Sequence, residues 1–133
     1  MRARTFAERY EVSMEYKFID TPDRIPGSDD RWPHTLWTVR LTTGTSDRVL
    51  EFEYRTGLAH TDVELESVLY SLALDVSVVD HNPTFEDFAA EMGYDSDSRR
   101  AEAIYEACKA QRTKVYSWVT SEAMWEDLKS VDE

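Results

Sequence analysis

Residues 84–118 read TFEDFAAEMGYDSDSRRAEAIYEACKAQRTKVYSW, and their periodicity decides how the second half of the chain folds. Phe85, Phe88, Ala89 and Met92 recur at helical spacing, which predicts a short helix with one apolar face. Thr84 stands where an N-cap belongs and Gly93 where a left-handed C-cap belongs. The polar run Asp95-Ser-Asp-Ser98 predicts a turn and a second cap. Beyond it, Ala101, Ile104, Tyr105, Cys108, Val115 and Trp118 define the apolar stripe of the longest helix in the chain.

The same period extends to both sides. Thr61-Asp-Val-Glu64 has capping-box spacing, and Leu65, Val68, Leu69, Leu72, Ala73 and Val76 form a stripe that runs to about Ser77. Asn82-Pro83 closes that helix. Downstream, Thr120 to Leu128 places Met124, Trp125 and Leu128 on a final short helix.

The first half has a different period. After a short helical turn opened by Thr5-Phe-Ala-Glu8, three segments alternate apolar and polar residues, the signature of half-buried strands. Glu11–Asp20 sets Val12, Met14, Tyr16 and Phe18 on one side. His34–Thr42 does the same with Trp37, Val39 and Leu41, and Arg48–Arg55 with Leu50, Phe52 and Tyr54. The loop 21–33 holds three of the four prolines, and Trp32 within it is expected to fold back onto the body. Gly44–Asp47 supplies a tight turn. The expectation is an α+β fold in a single domain, residues 1–133: a small three-stranded antiparallel sheet covered by three to four helices.

Charge is distributed unevenly. The chain of 133 residues carries 15 basic and 27 acidic side chains, a formal charge of −12. Residues 1–59 account for 9 basic and 10 acidic of these, residues 60–133 for 6 and 17. No Lys or Arg occurs from Thr56 to Ser98, an interval with ten acids: Asp62, Glu64, Glu66, Asp75, Asp80, Glu86, Asp87, Glu91, Asp95 and Asp97. Such a surface repels nucleic acid and anionic membrane and attracts basic protein surfaces. The 41% apolar content supplies a core. The lone Cys108 allows no internal disulfide, and the N-terminal residues show no apolar run of signal-peptide type. A cytoplasmic protein is the expectation.

Few residues suggest chemistry. Asp95-Ser-Asp97 opens like a calcium loop but lacks its glycine and distal glutamate, and capping explains both acids. His60/Asp62 and Asp80/His81 are ligand pairs without a second cluster. Glu51 and Glu53 point the same way, but the lysine of a metal-dependent nuclease is missing and Arg40 is a natural partner. Cys108 falls on an apolar stripe, as a structural thiol does. There is no phosphate-binding glycine loop. No catalytic residue, metal or cofactor is assigned.

Leu69-Tyr-Ser-Leu-Ala-Leu-Asp75, followed by TFEDFAAEMGYDSDSRRAEAIYEACK, resembles a family of small phage and prophage proteins over roughly residues 66–110. The resemblance implies expression inside an infected bacterium and brings no catalytic residues. By analogy with small acidic phage proteins that inhibit host defence, the expected function is anti-CRISPR-like. A surface formed by Asp62, Glu66, Asp75, Asp80, Glu86, Asp87, Glu91, Asp95 and Asp97 would occupy the basic nucleic-acid-binding site of a CRISPR effector or another defence protein. The alternative is a phage accessory or scaffold protein that works through apolar contacts or as a homodimer.

Overall fold

The computed structural model describes residues 4–20, 34–44, 48–57 and 63–132. The fold is α+β, with a three-stranded antiparallel sheet in the first half and helices concentrated in the second. Two compact units divide the chain, Met1–Val68 and Leu69–Glu133.

The first unit begins with α1 (Phe6–Tyr10), closed at its start by a reciprocal capping box. The Glu8 N–H donates to Thr5 Oγ1 at 3.2 Å, and the Thr5 N–H donates to Glu8 Oε1 at 3.0 Å. The helix ends at Glu11, whose φ of 50° is left-handed. The Gly44 N–H donates to the Glu11 carbonyl at 3.0 Å, and a Cβ on Gly44 would lie 2.7 Å from Glu11 Cβ. Only glycine allows that approach.

The strands are β1 (Val12–Asp20), β2 (His34–Thr43) and β3 (Val49–Gly57), in the spatial order β1-β2-β3. The register sets Tyr16 beside Val39 and Val39 beside Phe52, with Leu41 between Met14 and Leu50. The apolar residues of the three alternating runs therefore share one face. Trp37, Val39, Leu41, Leu50 and Phe52 on it are buried. The Trp37 indole is satisfied on the same face, donating to Thr56 Oγ1 at 3.0 Å and to Thr35 Oγ1 at 3.2 Å. Glu51 lies opposite Arg40 on the other face. Tyr16 and Phe18, expected to turn inward with this set, are exposed. They sit on the correct face, but β1 is an edge strand and its last half is left uncovered.

Helix α2 (Leu65–His81) spans the boundary between the units. It continues past the expected end near Ser77, with the Asn82 N–H still donating to the Val78 carbonyl at 3.1 Å, and stops at Pro83. The second unit continues with α3 (Phe85–Met92), α4 (Arg99–Trp118), α5 (Glu122–Lys129) and a 3₁₀ turn, Ser130–Asp132. Thr84, Ser98 and Ser121 cap α3, α4 and α5 through side-chain oxygens that accept backbone N–H groups. Gly93 ends α3 with φ 75°. The core of this unit holds Leu69, Leu72, Ala73, Val76, Phe88, Ala89, Tyr105, Val115, Trp118, Met124, Trp125 and Leu128. Met92, expected on the apolar face of α3, is exposed, and Ile104 and Cys108 are half-buried. Trp32, His60, the start of the α2 capping box at Thr61 and the turn at 45–47 lie outside the described residues.

Leu41 tests the sheet core because it is fully buried. Leu41→Ala should cost about 2–5 kcal/mol, seen as a lower urea midpoint with an unchanged denaturant slope.

Candidate functional site

The acidic interval resolves into two groups of carboxylates, one used internally and one facing outward. Asp80, near the end of α2, meets two cations. Its Oδ1 accepts from Arg112 Nε at 2.7 Å and its Oδ2 lies 3.5 Å from Lys129 Nζ. Arg112 also lies over the Trp125 ring, 5.3 Å from its centroid. Lys129 bonds Glu126 at 3.1 Å as well. Three helices of the second unit thus converge on one carboxylate. An acidic interval free of interspersed bases predicted uncompensated charge. At Asp80 the compensation comes from residues far along the chain. The same contacts occupy the Asp80 side of the Asp80/His81 ligand pair, and His81 Nδ1 lies 2.8 Å from the Ser77 carbonyl.

Asp75, unlike the exposed Asp80, is partly withdrawn from the surface. It is half-buried, and the Cys108 thiol donates to its Oδ1 at 3.8 Å. Burial pushes the Asp75 carboxyl up to about 6, offset in part by the thiol. Burial and the neighbouring carboxylate push the Cys108 thiol up to about 11. A thiol held that high is protonated and a poor nucleophile.

The outward group belongs to α3 and the turn after it. Glu86 and Asp87 occupy the first turn of α3, where acids complement the helix dipole. Glu91 stands one turn further on, with Asp95 and Asp97 in the α3–α4 connection, and all five are exposed. None of the five forms an ion pair among the described residues. Asp95 Oδ1 accepts the Asp97 N–H at 3.1 Å, an ordinary turn contact.

What holds α3 in place is buried beneath it. Asn82 is buried, and its Nδ2 donates to the Val78 carbonyl at 3.0 Å and to Glu91 Oε2. Its own carbonyl accepts the Tyr105 hydroxyl at 2.6 Å. Phe88 stacks on the Tyr105 ring with centroids 5.2 Å apart, and Phe85 and Tyr94 pack at its margins. Tyr105 titrates above its ordinary value because of burial first, and then the nearby charges of Glu106, Asp87 and Glu86. The acids of α3 are therefore carried on a helix fixed by aromatic stacking and a satisfied amide, not on a loose segment.

Of the nine residues read from the sequence as one surface, Glu86, Asp87, Glu91, Asp95 and Asp97 are exposed on α3 and the connection after it, with Glu86 and Glu91 about 140° apart around the helix. Asp75 and Asp80 are about 140° apart around α2 by helical geometry and make internal contacts. Glu66 is exposed on the first turn of α2, and Asp62 lies outside the described residues. The sequence reading missed Asn82, Tyr105, Arg112 and Lys129 as organisers of the site. Asn82 before a proline was the one visible signal.

No described helix is long and apolar enough to cross a membrane. No group of three or more potential metal ligands occurs among the described residues. No family model, curated protein or solved structure matches this chain.

Two outcomes test the Asp75–Cys108 pair. Asp75 binds its proton more tightly folded than unfolded, so its contribution to stability is full below about pH 4 and is lost as the pH rises through about 6. Asp75→Asn removes that dependence and should be more stable than the parent at pH 7 by about 1–3 kcal/mol, measured by urea unfolding across the range. The thiol of Cys108 should react with a disulfide reagent at neutral pH at least roughly tenfold more slowly than free cysteine.

Proposed function

We propose that the protein is a non-enzymatic inhibitor. It lays the acidic face of α3 and the following turn on a basic, nucleic-acid-binding surface of another protein. In the phage setting implied by the resemblance of residues 66–110, that partner is a CRISPR effector or another nucleic-acid-binding defence protein of the infected bacterium. The observation that carries the reading is the sorting of the carboxylates. Asp75 and Asp80 are engaged by contacts within the fold, whereas Glu86 and Asp87 on the anchored helix α3, and Asp95 and Asp97 in the connection after it, remain exposed and form no ion pair among the described residues.

The physical basis is charge complementarity. Duplex DNA presents one charge per roughly 1.7 Å of axis, and the exposed carboxylates of α3 and the following turn offer a basic groove charge of the same sign. Opposite charge accelerates encounter, and screening weakens the complex as salt rises. Carrying acids on an anchored helix also avoids the entropy of ordering backbone on binding.

Glu86, Asp87 and Asp97 are the residues to change, because their side chains make no hydrogen bond or ion pair within the described residues. Glu91 receives the Asn82 amide and is best left intact. The experiment is displacement of labelled duplex DNA from purified CRISPR effector complexes. The parent protein should displace DNA at about 0.1 M salt and fail at about 0.5 M. Glu86→Gln/Asp87→Asn/Asp97→Asn should displace it at least tenfold less effectively while melting within a few degrees of the parent. A folded triple variant that displaces DNA as well as the parent overturns the proposal.

A further inference from the structure

β1 is the outermost strand of its sheet, and one of its backbone edges has no strand beside it among the described residues. Such an edge is a template for pairing, and soluble proteins usually blunt it with charge, proline or cover. Here the blunting is weak. Tyr16, Phe18 and Ile19 are 43%, 52% and 44% exposed. Tyr16 and Phe18 lie edge-on to Trp37 at centroid distances of 5.5 and 5.7 Å, so the aromatic face of the sheet continues onto its outermost strand. β3, at the opposite edge, has less to gain, because Leu50 and Phe52 on its apolar face are already buried.

We infer that β1 pairs antiparallel with β1 of a second copy about a two-fold axis at Tyr16, joining two sheets into one of six strands. The sequence of the strand selects this occupant. An axis normal to the sheet at Tyr16 sets Tyr16 against its own copy, and Met14 against Phe18 of the second copy, all on the apolar face. On the outer face it sets Glu15 against Lys17 of the second copy, and Lys17 against Glu15. Both charged positions are matched, and both apolar positions meet apolar ones.

The pairing extends a pattern already present within the sheet. Glu15 lies opposite Arg40, and Arg40 opposite Glu51, across the three strands. Lys17 of the second copy would add the next opposite charge to that row. Moving the register by one residue destroys the match, because it opposes the apolar set to the charged set. The irregularity between Phe18 and Asp20 limits the regular ladder to residues 14–18. A ladder that short makes a concentration-dependent dimer rather than a permanent one. The inference stands apart from the acidic-surface proposal, since β1 and the acids of α3 lie in different units and are altered by different substitutions.

Sedimentation velocity of the full chain tests it, over about 5 to about 500 µM protein. The parent should pass from monomer to dimer in that range. Lys17→Glu alone and Glu15→Lys alone each oppose like charges twice across the axis and should weaken association about tenfold. Glu15→Lys/Lys17→Glu restores opposite charges across the axis and should recover most of the loss relative to Glu15→Lys alone. Both variants carry the same like-charge contact with Arg40 inside the sheet, so a general effect on folding would not produce the recovery. Tyr16→Lys should hold the protein monomeric with an unchanged far-UV spectrum, its site being exposed in the monomer. A parent that stays monomeric at the highest concentration overturns the inference. So does a dimer that these substitutions leave unchanged, because its contact then lies elsewhere.

Discussion

Asn82 is buried at the point where α2 must stop and the chain must reverse into α3. Pro83 ends the helix, and a helix end inside a core leaves carbonyls without partners. The Tyr105 hydroxyl takes the Asn82 carbonyl, and the Asn82 amide takes a carbonyl of the last turn together with the Glu91 carboxylate. An unmet polar group at that depth costs on the order of 1–3 kcal/mol, so the direction of α3, its distance from α4 and the stacking of Phe88 on Tyr105 all depend on one satisfied amide. The outward display of acids on α3 follows from that anchorage.

The second constraint is electrostatic. The helical unit carries most of the chain's negative charge, and self-repulsion opposes compaction. The fold answers it unequally. Asp80 is neutralised by Arg112 and Lys129, which draw α4 and α5 toward the end of α2. Asp75 is accommodated by burial beside a thiol, which raises its affinity for a proton. Glu86 and Asp87 in the first turn of α3 are left to solvent, helped by the dipole of their own helix, while Glu91 takes the Asn82 amide. A charge is internal or external according to what stands opposite it in space.

Much of this was legible in the residues. The change from period 2 to period 3.6 near Thr61, the hydroxyl caps at Thr5, Thr84 and Ser98, and Gly93 at the end of α3 placed the elements within a few positions, since each is a local property of the backbone. The antiparallel three-stranded sheet and its apolar face followed from three matched alternations. The withdrawal of Asp75 was visible in part, because it falls seven residues after Val68 and three after Leu72, on the apolar side of α2. The pairing of Asp80 was not, since Arg112 lies 32 residues away in the chain.

The sequence by itself determined the order of strands and helices, the face of each that is apolar, and the imbalance of charge between the two halves. Those follow from side-chain periodicity and local hydrogen bonding, which act within a few residues. Tertiary structure decided which apolar faces are covered and which acids are neutralised. Tyr16 and Phe18 share a face with buried residues yet remain exposed, because periodicity reports which side of a strand is apolar and not what lies against it. Burial and Coulomb attraction depend on distance in space, and that distance is set only once the elements have packed.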